Sequence, residues 1–381
     1  LKKEDCKSCY KCIRECALKS IRFSENRAQI VERECVYCGH CYVTCPQSAK
    51  EIRRDTDKAR ALIASGRPVI VSLAPSFIAD FGVGGLDGMR QALLKLGFAD
   101  VEETARGARI VKTEYERMIA SGEHKLIISS CCHSVNLLIQ KRYPQALPYL
   151  AKVDSPMLAH AKSIKERVPG SAVVFIGPCI SKKDEAEQYG QVDCVLTFDE
   201  LIDWLAEEGI ELPAGEQPDG TEARSRFFPT AGGIIRSMDL DDGFSYIPID
   251  GLRRCMDALE EIERGGMQNC FVEMNACEGS CIGGPVMHRY HSAPITCKTR
   301  VEQYSGKSGR DFDDQPADDL RKSMQYIGSG AVKPGEAAIQ EVLHKLGKYR
   351  PEDELNCGTC GYSTCREKAI AVCQGKADLT M

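Results

Sequence analysis

Cysteine carries the chemistry in this sequence. Twenty-one thiols stand among 381 residues, and many fall at fixed short spacings. Dense cysteine forms disulfide frameworks in small secreted domains, whereas in a long chain it reads as metal ligation. No secretory signal is expected in the polar opening residues, and a first residue of Leu1 rather than Met implies a processed or trimmed start. Formal charge is only −5 and no large basic block is present, so nucleic acid and anionic membrane are poor candidates as partners. No apolar run approaches the length of about 18 residues that spans a bilayer. An apolar content of 43% supports a full core. These features point to a cytoplasmic metalloprotein.

The densest thiols form two matched runs, Cys6-x2-Cys9-x2-Cys12-x3-Cys16 and Cys35-x2-Cys38-x2-Cys41-x3-Cys45-Pro46. This is the bacterial ferredoxin spacing written twice, in which the fourth cysteine of each run ligates the other run's cluster. It assigns Cys6, Cys9, Cys12 and Cys45 to one 4Fe–4S cubane, and Cys16, Cys35, Cys38 and Cys41 to a second. Paired Cys-x2-Cys also suits tetrahedral zinc, but two complete runs weigh toward cubanes. Ala17 follows Cys16 where Pro46 follows Cys45, a minor departure.

Three further thiol segments lie far apart. They are Ser129-Ser130-Cys131-Cys132-His133, Pro178-Cys179-x2-Lys182-x2-Glu185, and Glu273-x3-Cys277-x3-Cys281-x-Gly283-Gly284. Each needs an element to place it. Pro68–Leu73, Lys125–Ile128 and Ala172–Ile176 are short apolar runs that read as buried strands. They end in Ala74-Pro75-Ser76, in Ser130-Cys131-Cys132 and in Gly177-Pro178-Cys179. Helical periodicity runs from Gly88 to Leu96 and from Val111 to Ala120. Thr197-x2-Glu200 is a capping box opening a helix through Trp204 that Gly209 closes. Strands alternating with helices give an α/β core with a largely parallel sheet, whose ligand sites gather beyond the carboxyl ends of its strands. That rule brings Cys132 and Cys179 to one crevice.

In these segments the chain resembles the FeFe hydrogenase family, whose three cysteine signatures bind the H-cluster. The resemblance implies a two-lobed α/β core with parallel-rich sheets, after a two-cluster ferredoxin domain and before a small 4Fe–4S module. It implies that Cys132, Cys179, Cys277 and Cys281 hold a cubane, with Cys281 bridging to a diiron unit that carries carbon monoxide, cyanide and a dithiolate. Lys182 would then donate to a cyanide, as a compact ammonium can. Ala74, Pro75 and Ser76 would lie against the second cyanide, and Gly283 and Gly284 would admit close backbone approach. Cys131 matches the proton-relay thiol, and Glu114 and Glu116 compete for the places of two relay glutamates further out. The implied activity is exchange of two protons and two electrons with H2.

Several residues depart from the pattern. His133 stands where Pro is usual, Gly177 and Ala276 where catalytic enzymes carry methionines, and Pro285 where another Gly is common. This looks like the sensory branch of the family, with slow turnover. The eukaryotic iron–sulfur assembly factors share the core cysteines and offer a non-enzymatic alternative without the diiron unit.

Near the end, Cys357-x2-Cys360-x4-Cys365 resembles a small 4Fe–4S module whose fourth ligand falls one residue past Met381. The expected division is therefore 1–54 ferredoxin-like, 55–340 H-cluster domain and 341–381 C-terminal module, with residues 305–340 a polar connector and a last helix over Glu336–Leu346. Expected partners are H2, protons, a redox protein such as a ferredoxin and a downstream signalling domain; a homodimer is one candidate assembly. Cys194, Cys255, Cys270, Cys297 and Cys373 read as small buried hydrophobes. His124, His160, His288 and His291 lack ligand partners in the sequence, and Lys162–Arg167 reads as a solvated helix face.

Overall fold

The computed structural model describes residues 5–215, 222–288, 292–314 and 319–381; His291 lies outside them. The chain divides into two compact units, residues 1–53 joined by 327–381, and residues 54–326. The two terminal cysteine segments, expected as separate modules, thus share one unit.

In the terminal unit, β1 (Ile21–Ser24) and β2 (Arg27–Ile30) form an antiparallel hairpin. Glu25 and Asn26 make its turn with φ of 52° and 57°, the left-handed pair that matches strand twist. Ile13, Ile21, Phe23 and Ala28 build a small core that Tyr362, Ala371 and Ala377 complete. The Phe23 amide donates to the Lys376 carbonyl at 2.7 Å, and the Lys376 ammonium pairs with buried Glu34. The helix Glu336–Lys345 packs Ile339, Val342 and Leu343 against Ala369 of the helix Cys365–Cys373.

The larger unit holds two parallel sheets. β3 (Val69–Leu73), β4 (Asp100–Glu103), β6 (Ala172–Gly177) and β7 (Cys194–Thr197) form one, in the order β4-β3-β6-β7. β5 (Leu126–Ile128), β8 (Ser245–Asp250) and β9 (Cys270–Asn275) form the other, in the order β5-β9-β8. Every pairing in both is parallel. β3, β6 and β9 are buried along their whole length, as strands covered on both faces must be.

The helices Ala105–Ala120 and Pro156–Arg167 pack closely at Gly107, where a Cβ would lie 2.1 Å from the Pro156 carbonyl. Thr197 and Glu200 form the expected capping box. On the second of these helices Ile164 is buried, while Lys162, Lys165 and Arg167 pair with Asp154, Asp193 and Glu102. Cys194, Cys255, Cys270 and Cys297 are buried.

The segment after 305 is more than a connector. Its stretch around Leu320–Lys322 lies along Val153, with the Asp154 amide on the Leu320 carbonyl at 2.8 Å and the Lys322 amide on the Lys152 carbonyl at 3.0 Å. Among the described residues no helix is long and apolar enough to cross a membrane.

Candidate iron–sulfur sites

The two N-terminal runs repeat one backbone trace. Ser8 and Tyr37, each two residues past the first cysteine of a run, have φ of 54°. Tyr10 and Gly39, four past it, are left-handed too, as are Lys19 and Ser48, three past the last cysteine. Left-handed conformations cost side-chain-bearing residues about 1–2 kcal/mol each, and here they curl amides toward sulfur. The Ser20 amide donates to Cys16 Sγ and the Ala49 amide to Cys45 Sγ, each at 3.4 Å; the Tyr37 amide reaches Cys35 Sγ at 3.3 Å.

The thiols gather in two sets. Burial raises Cys12, and Cys45, Cys6 and Cys9 add to it; these four line one cavity. Burial likewise raises Cys38, whose thiol neighbours are Cys16, Cys35 and Cys41. Cys41 is pushed up to about 12, by burial first and then by Cys35. Buried Lys50 donates to the Ala28 carbonyl at 3.0 Å and acts on both Cys12 and Cys41, easing the anionic form in each set. Sequence reading passed over Lys50, a lone lysine beyond the last cysteine of its run.

At the C-terminus Cys357 is exposed, and a hydrogen bond from Thr359 holds its thiol below the usual range. Cys360 and Cys365 are half-buried, and Asn356 Oδ1 accepts from the Cys365 amide at 2.8 Å. Cys373 faces the Ala338 carbonyl at 3.6 Å.

In the larger unit the three core segments converge. Cys132 caps the helix His133–Arg142 just beyond β5; burial raises its thiol, Cys179 adds to that, and the Ala276 amide opposes it. A Cβ on Gly284 would lie 3.0 Å from the Pro178 carbonyl, so the third segment rests on the second. Gly283 ends the turn Ser280–Gly283 that carries Cys281. Cys281 keeps an accessible face yet sits deep among protein atoms, and its thiol is pushed up to about 12 by burial, then by Cys179 and Cys132. Cys277 opens the turn, its carbonyl accepting from the Ser280 amide at 3.0 Å.

Lys182 joins the second segment to the first by donating to the Cys131 carbonyl at 3.1 Å, and it also reaches Glu185 Oε2 at 2.5 Å. Burial alone would lower this ammonium, but Glu185 and the Cys179 and Cys132 sulfurs outweigh it and hold it charged. At the end of β3 the Ala74 amide donates to the Ile176 carbonyl at 2.9 Å. Pro75 turns the chain, and Ser76 is fully buried with no partner for its hydroxyl. A Cβ on Gly177 would lie 2.7 Å from the Phe175 ring and 3.0 Å from Ala74 Cβ. The Phe175 ring thus blocks the space a side chain at 177 would enter.

Cys131 is met by Tyr115, the residue between the two glutamates that compete for the outer relay places. The Tyr115 hydroxyl lies 3.2 Å from Cys131 Sγ and 3.1 Å from Ser130 Oγ, and it accepts from the Ser130 amide at 2.9 Å. Glu114 pairs with Arg117 at 2.6 Å, and Glu116 accepts from the Asp239 amide at 2.8 Å. Successive helical residues turn by roughly 100°, so Glu114 and Glu116 leave the inward direction that Tyr115 takes. Tyr115 shares its face with buried Val111 and Ile119, a spacing that could have singled it out. Burial pushes the Cys131 thiol up to about 12, against the Tyr115 hydrogen bond and the Lys182 charge. Buried Glu273 faces it as well, raised to about 7 by burial and opposed by the Ile235 amide. His133, in the place of the usual Pro, sets Nε2 on Asp184 at 2.7 Å.

Among the described residues no three His, Cys, Asp or Glu stand close enough for a single metal ion. The sulfurs form wider groups, with backbone amides donating to them and the charges of Lys50 and Lys182 nearby. Thiolate donors, amide donors to sulfur and nearby cations are the protein's means of holding and tuning iron–sulfur clusters, and these residues fit such groups.

Comparisons with known proteins agree with this chemistry. The chain is 26% identical over 356 residues to the NADP-reducing hydrogenase subunit HndD of Solidesulfovibrio fructosivorans, covering 74% of this chain and 60% of that one. It spans about three fifths of that relative's length. It is 26% identical to cytosolic iron-sulfur assembly component 3 of Rattus norvegicus, covering 85% of this chain and 68% of that protein. A solved FeFe hydrogenase from Chlamydomonas reinhardtii superposes with a TM-score of 0.54 at 20% identity, over 71% of this chain and 91% of that one, and so shares the fold. A profile of an Fe-S cluster segment matches residues 353–381. A profile described as iron only hydrogenase large subunit, C-terminal domain, matches residues 67–242 and 235–285, more than half of the 381 residues; the chain belongs to that family.

Proposed function

We propose that the chain is an iron–sulfur redox protein in which a core cubane on Cys132, Cys179, Cys277 and Cys281 exchanges electrons with cubanes in the terminal segments, serving electron transfer or cluster assembly without a diiron unit. The convergence of three distant cysteine segments around Lys182 carries this reading. Several relatives are named as cytosolic iron–sulfur assembly factors, in Yarrowia lipolytica, Rattus norvegicus, Mus musculus and Danio rerio, which also supports a cytoplasmic location. A bound cubane supplies one-electron exchange. The chain's own residues anchor it, keep water from it and balance its charge. The C-terminal thiols offer a third cluster site, from which a redox protein or a signalling domain would take its input.

The test is iron and sulfide analysis with electron paramagnetic resonance on wild-type protein and on Cys132→Ser. Loss of one cubane signal in the variant supports the reading. Identical spectra would sink it.

A second reading, slow H2 turnover in hydrogen sensing at an H-cluster, is favoured by one observation. The Ser76 hydroxyl is fully buried and unpartnered, as a donor reserved for a ligand would be. In that reading Cys281 would help hold a diiron unit, which would supply the hydrogen chemistry. Lys182 and Ser76 would hold its anionic ligands, and Cys131, beside Tyr115, would hold the proton. Infrared spectra after maturation separate the readings, because carbonyl and cyanide stretches arise only from the diiron unit.

A further inference from the structure

A lysine that the signatures do not contain lies under the core site. Lys322 comes from the stretch laid along Val153, and its side chain is fully buried. Its ammonium pairs with Glu185 and stands 4.7 Å from the centre of the Tyr189 ring. Glu185 is the same carboxylate that Lys182 holds at 2.5 Å, and Ser155 Oγ donates to it at 3.0 Å. Two buried cations therefore share one anion, which leaves one positive charge over.

The surrounding groups do not cancel that charge. His133 sets its Nε2 on Asp184 at 2.7 Å. Asp184, its partner, has a side chain 34% exposed to solvent. Asp154 is taken up by Lys162 at 2.5 Å. An uncompensated buried cation is costly unless an anion meets it, and the thiols of Cys132 and Cys179 are the groups on which Lys182 acts.

We infer that Lys322 is a positioning residue for the core cluster. By occupying one oxygen of Glu185 it leaves the charge of Lys182 free to act on the thiolate–iron group, stabilising its more negative, reduced state and raising its reduction potential. The inference rests on the proposed core cubane.

A redox titration followed by electron paramagnetic resonance tests it. The core signal is the one lost in Cys132→Ser, and the N-terminal cubanes serve as internal reference. Lys322→Met, which keeps bulk and removes charge, is expected to shift the core midpoint to more negative potential while the reference stays in place. Lys322→Arg is expected to stay near wild type. If the Met variant does not fold, Lys322→Gln gives the same readout. An unmoved core midpoint in the neutral variants would overturn the inference, as would an equal shift in the Arg variant, since packing would then be the cause. A wild-type protein with no signal beyond the terminal clusters overturns the inference and the core cubane together.

Discussion

The two units reach their cysteine sites by opposite routes. The terminal unit has a small core around Ile13, Ile21 and Phe23 and holds Ser8, Tyr10, Lys19, Tyr37 and Ser48 in left-handed conformations. Cluster ligation is the natural offset for that strain, so there the metal is expected to make the fold. In the larger unit the thiols stand at the ends of strands that are already packed, with Phe271, Val272 and Met274 fully buried in β9. There the fold makes the site. The difference teaches that one ligand type, cysteine, can be either a structural staple or a passenger on a finished sheet.

The comparison breaks most visibly under iron removal. Chelation under reducing conditions is expected to abolish slow hydrogen exchange over 5–53 and 353–381, while β3, β6 and β9 keep theirs; equal retention in both units would end the contrast. Next, Phe271→Ala is expected to cost about 3–5 kcal/mol in the unfolding of the larger unit, as a large buried side chain does. Iron bound by the terminal cysteines should not change, and denaturant titration with metal analysis reads both.

A smaller effect is expected from Gly177→Met. Forcing a side chain against the Phe175 ring costs about 1–3 kcal/mol by overpacking, and Phe175→Ala in the same chain should recover part of it in a double-mutant cycle.

The smallest effect concerns a buried polar cluster remote from the thiols. Burial alone would raise Glu102, but hydrogen bonds from His160 and Arg167 outweigh it and hold the carboxyl at about 2. A depressed folded-state value stabilises the native form above the ordinary range near 4.5 and loses that effect as pH falls toward 2. The stability gap between wild type and Glu102→Gln, followed by emission of Trp204, should therefore narrow as pH drops from about 6 to 3.5. A constant gap would remove the charge from the account.

The sequence made some of this legible and hid the rest for physical reasons. β3, β5 and β6 were readable because parallel strands covered on both faces are apolar throughout. β4 was not, since Asp100-Val-Glu-Glu103 carries three carboxylates, engaged by Arg90, Arg167 and Arg226. β8 was hidden by Pro248 and by its half-exposed position at a sheet edge. The cysteine segments declared themselves through spacing. Tyr115 and Lys322 did not, because one is a single inward residue on a helix and the other a buried cation in a polar stretch. Their significance lies in what meets them across the fold, which local pattern does not encode.

One feature of the larger unit bears on how a cofactor enters. Cys179 follows a strand of the four-stranded sheet, whereas Cys132, Cys277 and Cys281 follow strands of the three-stranded one. Any group gripped by all four is a clasp between two halves of a case. Such a group would tie the two halves together, and the accessible face of Cys281 is the side open to it.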